Sequence, residues 1–216
     1  MRYESVTTIV DDVKKCIDDI GVNDADFIAG ADNADMATII ESKIGDALRF
    51  VNLNADVGYL EPTELTKEGN DITVTNGVVD YTLPADFLRM VYAKLSDWLF
   101  AVTEPIYYTE KEYAALKNPI TTGYPDNPKV AITADKHLEL YTTKSSEVSL
   151  TFGYIGETVQ ISEGENIGEW PIPNKLYRAV IYYIAGLTLL TYKDAHADAL
   201  LNMAITIMGA KTNSNS

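Results

Sequence analysis

Apolar residues recur every three or four positions in the first 51 residues, with charged residues on the opposite face. This period is typical of amphipathic helices, so the pattern predicts two of them. The second should begin at an N-cap on Asn33 or Asp35. The apolar positions are Val6, Ile9, Val10, Val13, Ile17 and Ile20 in the first helix and Met36, Ile39, Ile40, Ile44, Ala47, Leu48 and Val51 in the second.

The period changes to two from about Glu61, where short runs rich in β-branched and aromatic residues alternate with turn signals. Such runs predict β-strands. One segment, 109–118, instead predicts a short helix capped by Thr109. Consecutive short strands favour an antiparallel sheet that closes into a small barrel or sandwich. The predicted strands span 71–75, 77–83, 88–95, 98–102, 129–133, 137–143 and 147–155.

The helical period returns near the end of the chain. A helix opening with Pro173 is apolar nearly all round, and a last helix should turn Ala199, Leu200, Met203, Ile207 and Met208 inward. We therefore predict an α+β fold. Residues 1–60 and 170–216 should form a helical bundle, and residues 61–169 should form an inserted antiparallel β barrel or sandwich domain.

The charge of the chain limits what it can bind. Only 17 Lys and Arg stand against 32 Asp and Glu, which gives a net charge of −15. Phosphate neutralisation needs a cationic stripe, so direct binding of DNA or RNA is not expected. An acidic wall past which nucleic acid slides is compatible with the same charge. The longest apolar run is too short for a membrane span, and the acidic N-terminus does not match a signal peptide.

Reactive groups are few and scattered. The sequence has no phosphate-binding loop, nucleophile elbow or zinc-protease motif. His137 and His196 have no second ligand at metal spacing, and Cys16 is the only cysteine, best interpreted as a partly buried structural thiol. The acids from Asp24 to Asp35 do not fit a calcium loop. We therefore predict no enzyme activity, no metal and no cofactor.

A short polar corner interrupts two strand-like runs at "YTLPADFLRM" (81–90). Pro84 fixes its own φ and keeps Leu83 extended, which ends the first strand. Asp86 can accept backbone N–H groups in the turn, and Phe87 should hold the turn on the core. The corner is a joint between strands and contains no reactive group.

The same corner resembles the Leu-Pro-x-Asp-Phe corner of head-to-tail adaptor (connector) proteins of tailed bacteriophages, especially short-tailed and crAss-like ones. The following segments resemble that family in order and spacing: "EPIYYTEKEYAAL", "GYPDNPKVAI", "KHLELYTT", "EVSLTFGYI" and "WPIPNKLYRAVIYYIAGLTLL". The resemblance covers about residues 30–205.

The resemblance implies a structural virion protein, made in the host bacterial cytoplasm and located at the head–tail junction. It implies a ring of twelve copies that binds the portal protein and the next tail protein, with DNA only as passing cargo. The residues expected to dock on the portal are Lys211, Thr212, Asn213, Ser214 and Asn215. The loop expected to face the tail comprises Thr121, Thr122, Gly123, Tyr124, Pro125, Asp126 and Asn127.

Two other functions are compatible with the sequence. One is a monomeric carbohydrate- or peptide-binding β module on a helical stalk, which would show a concave aromatic patch. The other, ranked below it, is a hydrolase whose two carboxylates come together only in the fold.

Overall fold

The computed structural model describes residues 1–20, 35–68, 71–118, 121–142 and 148–210. The chain divides into two compact units. The first comprises Met1–Glu61 and Glu157–Ser216, and the second comprises Pro62–Gly156. Residues 157–169, which the sequence pattern assigned to the β domain, therefore group with the first unit.

The described elements combine helices with mainly antiparallel sheets, so the predicted α+β class is confirmed. The helices are α1 (Val6–Asp19), α2 (Met36–Asn54), α3 (Lys111–Leu116), α4 (Tyr177–Thr191) and α5 (Ala197–Met208). The strands are β1 (Arg2–Ser5), β2 (Thr63–Lys67), β3 (Thr73–Thr75), β4 (Val78–Thr82), β5 (Phe87–Leu95), β6 (Ile106–Tyr107), β7 (Val130–Ile132), β8 (His137–Tyr141), β9 (Leu150–Gly156) and β10 (Glu169–Ile172). Short 3-10 turns cover Val57–Tyr59 and Asn174–Leu176. Among the described helices, none is long and apolar enough to cross a membrane.

Helices α1 and α2 begin at side-chain caps. Ser5 Oγ accepts the backbone N–H of Thr8 at 3.1 Å, and Asp35 Oδ1 accepts that of Ala37 at 3.4 Å. Asp35, one of the two predicted caps, is therefore the N-cap of α2. Both helices bury the predicted apolar stripe. The buried residues are Ile9, Val10, Val13, Cys16 and Ile17 in α1 and Met36, Ile40, Ile44, Ala47, Leu48, Val51 and Asn52 in α2.

Helix α4 lies at the centre of the first unit and contacts α1, α2 and α5. It is buried on most sides, in agreement with its apolar sequence. Even Thr188 is fully buried, where its hydroxyl donates to the Ile184 carbonyl at 2.9 Å. At Gly186 a Cβ would lie 2.7 Å from the Leu201 side chain, so this glycine permits the close approach of α5.

The inward face of α5 differs from the prediction. Ala197, Leu200, Ala204 and Met208 are buried, whereas Met203 is 52% exposed. Ala199 is also exposed, and Ile207 is half-buried. Leu200 and Met208 are buried as predicted, and the close contact with α4 adds the small residues Ala197 and Ala204 to the buried face. The helix ends at Gly209, whose φ of 62° forms a left-handed cap.

A two-stranded sheet in the first unit was not predicted. Strand β1 pairs antiparallel with β10, from Arg2 opposite Ile172 to Ser5 opposite Glu169. Four residues are too few to show an alternating pattern, and Pro171 argued against a strand. The predicted helical start at Pro173 is also corrected, because α4 begins only at Tyr177 after a 3-10 turn.

The second unit contains two sheets. One has the strand order β2-β9-β5 and the other has the order β3-β4-β8-β7-β6. All described pairs are antiparallel except β6 with β7. Met90 and Phe152 of the first sheet pack in one core with Val79, Leu138 and Leu140 of the second. The arrangement is therefore a sandwich, with one parallel pair that was not predicted.

Three local predictions in this unit were wrong. Residues 98–102 form no strand beyond an isolated bridge between Ala93 and Val102. Strands β2 and β6 were missed. Helix α3 is not capped by Thr109, since Glu110 is the N-cap and makes no side-chain capping bond.

The corner between β4 and β5 is stabilised from inside the unit. The Phe87 N–H donates to the Pro84 carbonyl at 3.0 Å, which closes the turn. Asp86 was predicted to accept backbone N–H groups, but here its Oδ1 accepts the hydroxyl of Tyr154 at 3.2 Å. Leu83 is buried, and Phe87 packs on the core.

Two glycines of β9 make room for this corner and for the bend of β5. Strand β5 carries two register shifts against β9, which indicates bulges and a local bend. A Cβ on Gly153 would lie 2.4 Å from the Tyr92 ring, and one on Gly156 would lie 2.4 Å from Asp86 Oδ2. The bent strand and the corner therefore rest directly on backbone that carries no side chain.

We predict that Gly156→Ala destabilises the second unit by ~1–3 kcal/mol, because the new methyl group meets the Asp86 carboxylate. The chain has two tryptophans. Trp98 lies in the second unit and Trp170 in the first, so a Trp170→Phe background lets denaturant unfolding be followed through Trp98 alone. Adding Asp86→Ala should recover part of the loss.

The matched control for this prediction is Gly45→Ala on the exposed face of α2. A Cβ at Gly45 would have its nearest neighbouring atom 4.0 Å away, and replacing a helical glycine acts on the first unit, so the stability of the second unit reported by Trp98 should stay unchanged. Equal destabilisation by Gly156→Ala with and without Asp86→Ala would contradict the proposed clash.

Candidate assembly surfaces

The two histidines lie in ordinary surface settings. His137 Nδ1 is 2.7 Å from Asp80 Oδ1, in a cleft of about 290 Å³ that also contains Asp135 and Glu139. His196 Nδ1 lies 2.9 Å from Asp194 at the start of α5. Within the described ranges, no three His, Cys, Asp or Glu residues are grouped as a metal would require. Of the acids tested against a calcium loop, those at positions 24, 26 and 32 lie outside the described residues.

Cys16 is buried in α1, as predicted for a structural thiol. Burial, with a smaller contribution from the nearby Asp19 carboxylate, raises the pKa of its thiol to about 11. A thiol with this pKa is almost entirely protonated at neutral pH and is a poor nucleophile.

The predicted tail-facing loop, Thr121–Asn127, is a tight turn at the surface of the second unit. Tyr124 and Asn127 exchange backbone hydrogen bonds of 2.9 and 3.2 Å. Gly123 is required at the base of the turn, because a Cβ there would lie 2.7 Å from the Lys129 side chain. These contacts give the loop a defined shape at the surface.

A neighbouring segment adds two exposed apolar side chains to this loop. The Leu99 N–H donates to the Pro125 carbonyl at 3.1 Å, which joins the two segments. Leu99 is 71% exposed, and Phe100 and Tyr124 are also exposed. We refer to Leu99, Phe100 and Tyr124 as the apolar tip. Contiguous apolar exposure of this kind is typical of a protein contact surface.

Trp98 explains why the apolar tip is exposed. Its indole is buried and its Nε1–H donates to the Tyr141 carbonyl at 2.7 Å, so Trp98 anchors the segment to the core. The next two residues then point away from that anchor. The sequence pattern missed this, because five consecutive apolar residues at 98–102 are typical of a buried strand.

The first unit contains a groove of about 840 Å³ that sequence reasoning did not identify. Apolar side chains from three helices form its floor, and four cationic side chains lie among its lining residues. The apolar members are Ile20, Ile181, Leu200, Met203 and Ile207, and the cationic members are Arg2, Lys15, Lys175 and Arg178. Two of the misassigned α5 residues, Met203 and Ile207, therefore line this groove.

Asp12, one of the two acids that line the groove, is held by its neighbours. The Tyr177 hydroxyl donates to Asp12 Oδ2 at 2.7 Å, and Lys15 lies 3.2 Å from Asp12 Oδ1. The Tyr177 hydrogen bond is the main cause that holds the pKa of Asp12 below its ordinary value. The Arg2 guanidinium lies 3.8 Å from the centre of the Tyr177 ring. Arg2 is paired with Glu4 and Lys15 with Asp12, so Lys175 and Arg178 are the lining cations that make no ion pair with the described residues. The groove therefore combines apolar area with positive charge.

The remaining predicted positions add no further candidate surface. Leu83, Pro84, Asp86 and Phe87 form the corner already described, in which Leu83 is buried and Asp86 is exposed. The predicted portal-docking residues Lys211, Thr212, Asn213, Ser214 and Asn215 lie outside the described residues.

Comparisons with known proteins identify a family for this chain. A search of curated proteins found no match. A scan against protein families matched the SU10 adaptor protein family over residues 5–214, a longer stretch than the resemblance read from the sequence. The match supports a phage adaptor protein, a structural class and not an enzyme class. The chain belongs to the SU10 adaptor protein family.

Proposed function

We propose that the chain forms a ring, of twelve copies, that joins the capsid portal to the tail and lets DNA pass through its lumen. The family match over residues 5–214 is the observation that carries the proposal. An adaptor assembles with other virion proteins such as portal or tail. Contact surfaces rather than a catalytic centre are what this function needs.

In this proposal each of the two units docks on a different virion protein. The helical unit faces the portal, with residues 211–215 in the contact. The second unit faces the next tail protein through the loop Thr121–Asn127. The apolar tip supports this assignment, because it places exposed Leu99 and Phe100 beside that loop on an anchored segment.

The charge of the chain is compatible with a conduit. Twelve copies with a net charge of −15 each give the ring a net charge of −180. An acidic lumen would repel the phosphate backbone and hold DNA weakly during passage. The subunit faces must then be locally complementary, because like charges across an interface oppose association.

The cleft of the second unit does not favour the alternative function of a carbohydrate- or peptide-binding module. Its lining is mainly polar and charged, with Tyr113 beside Asp80, Thr133, Asp135, His137 and Glu139. Sugar and peptide sites usually combine several aromatic or apolar surfaces with a few polar groups.

We expect electron microscopy of the purified chain mixed with the portal protein from the same genome to show rings stacked coaxially on the portal. The portal is included because it can act as the template on which the ring forms, and image averages would give the symmetry. Well-formed portals without added density, at micromolar protein and moderate salt, would remove the support for an adaptor ring.

We further expect Leu99→Asp with Phe100→Asp to weaken binding of the next tail protein while portal-bound rings still form. Two charges would have to be buried without partners, which should weaken the contact at least tenfold, or about 1.4 kcal/mol. Co-sedimentation of the portal–adaptor complex with the tail protein measures this loss.

Leu190→Asp is the matched control, because Leu190 is 47% exposed but lies in α4 of the first unit. It should leave tail binding unchanged. Normal tail binding by the Leu99→Asp, Phe100→Asp variant would place the tail contact elsewhere.

A further inference from the structure

An acidic loop projects from the first unit just before β10. Residues 162–167 read Ser-Glu-Gly-Glu-Asn-Ile and contain no Lys or Arg. The base of the loop is closed by two backbone hydrogen bonds, from Gly168 N–H to Ile161 at 2.8 Å and from Ile161 N–H to Glu169 at 2.9 Å. We refer to residues 162–167 as the acidic loop.

The acidic loop exposes both apolar and charged side chains, as a protein contact surface does. Ile167 is 65% exposed, although it lies next to the closed base of the loop. A Cβ on Gly164 would meet no atom within 4 Å, so the loop extends into open space. Glu163 and Glu165 are both exposed. The loop therefore presents one apolar side chain together with two carboxylates.

The groove of the first unit has the complementary properties. Its exposed apolar residue is Met203, and its floor includes the buried Ile181 and Leu200. Lys15 is highly exposed, with 72% of its side chain accessible. Arg178 is exposed and makes no ion pair or hydrogen bond within the part of the chain that the structure describes. An acidic segment with an apolar residue would match both features.

The loop and the groove lie at opposite ends of the β1–β10 sheet. Glu169, which closes the acidic loop, pairs with Ser5, whereas Arg2, which lines the groove, pairs with Ile172. Three residue steps along a strand separate these ends by ~10 Å. None of residues 162–167 is among the residues that line the groove, so the acidic loop of one copy leaves its own groove open to a partner.

We propose that the acidic loop of one copy inserts into the groove of the next copy. Ile167 packs against Met203, and the carboxylates of Glu163 and Glu165 pair with Lys15 and Arg178. Because the two surfaces differ, the contact is heterologous, and repetition of such a contact closes a ring when the rotation permits. This inference rests on the proposed adaptor ring and identifies its contact between subunits.

Cross-linking between copies tests the contact directly. In a Cys16→Ala background, one preparation carries Ile167→Cys and another carries Met203→Cys. On chains assembled on the portal, a short bis-maleimide linker should join the mixed chains into dimers roughly tenfold faster than either preparation alone, because docking raises the effective concentration of the two thiols. A chain that carries both substitutions should give a ladder of larger products.

The control pairs Ile167→Cys with Leu190→Cys, an exposed residue of the first unit that does not line the groove. Equal yields for the Met203 and Leu190 pairs would overturn the proposal, and so would equal yields for mixed and single preparations. The reaction is run on the chain assembled on portal, where these comparisons apply, and the chain alone serves as the unassembled reference. Portal-bound rings without a cross-link between residues 167 and 203 would overturn this contact and leave the proposed ring intact. Absence of both the rings and the cross-link would overturn both proposals.

A charge exchange tests the electrostatic part of the contact. Glu163→Lys with Glu165→Lys on the Ile167→Cys chain should slow the cross-link roughly tenfold, since two exposed ion pairs are lost and replaced by repulsion. Adding Lys15→Glu with Arg178→Glu to the Met203→Cys chain should restore the rate. Failure of the reversed pair to restore it would contradict the assigned pairing.

Discussion

The burial of α4 is the constraint on which the first unit depends. Its side chains are apolar nearly all round, and each one removed from water contributes about 1.5–3 kcal/mol. The helices that cover it, α1 and α2, come from the first 54 residues, more than a hundred positions away in the sequence. The C-terminal segment must therefore pack against the N-terminal segment, and the antiparallel pairing of β1 with β10 fixes how the two segments are aligned. The second unit is formed by the residues that lie between these two segments in the sequence.

Much of this arrangement could be predicted from hydrophobic period alone. Most buried residues of α1 and α2 were predicted, since each of these helices has one solvent-exposed and one buried face. Period was less informative for α5, where Met203, an apolar residue, is exposed while Ala197 and Ala204 are buried. Hydrophobicity identifies residues that can be buried. It does not identify the small residues that let two helices approach at Gly186.

The candidate surfaces were harder to predict than the fold, for two physical reasons. Leu99 and Phe100 were predicted to belong to a strand. In the structure both are exposed, next to Trp98, whose buried indole donates to the Tyr141 carbonyl. The groove has no local signature, because its lining comes from β1, α1, α4, α5 and the turn before α4. The loop at residues 121–127 could be predicted only from a family resemblance. A resemblance of this kind indicates where a loop lies in the sequence, but it does not indicate which atoms the loop contacts.

The proposed subunit contact also explains how a chain of charge −15 could assemble in an ordered way. Charges on separate copies are screened beyond ~8 Å at physiological salt, so the sign of nearby groups decides the contact and net charge does not. Four of the 17 cationic side chains line the groove, opposite the acidic loop in the proposed pair. Two exposed ion pairs contribute only ~0.2–1 kcal/mol each, and burial of one isoleucine contributes about 1.5–3 kcal/mol. These gains are smaller than the ~4–15 kcal/mol that association costs in lost freedom, so copies in dilute solution would remain apart. A portal that holds neighbouring copies side by side removes most of this cost, and the same modest contact then suffices to order the ring.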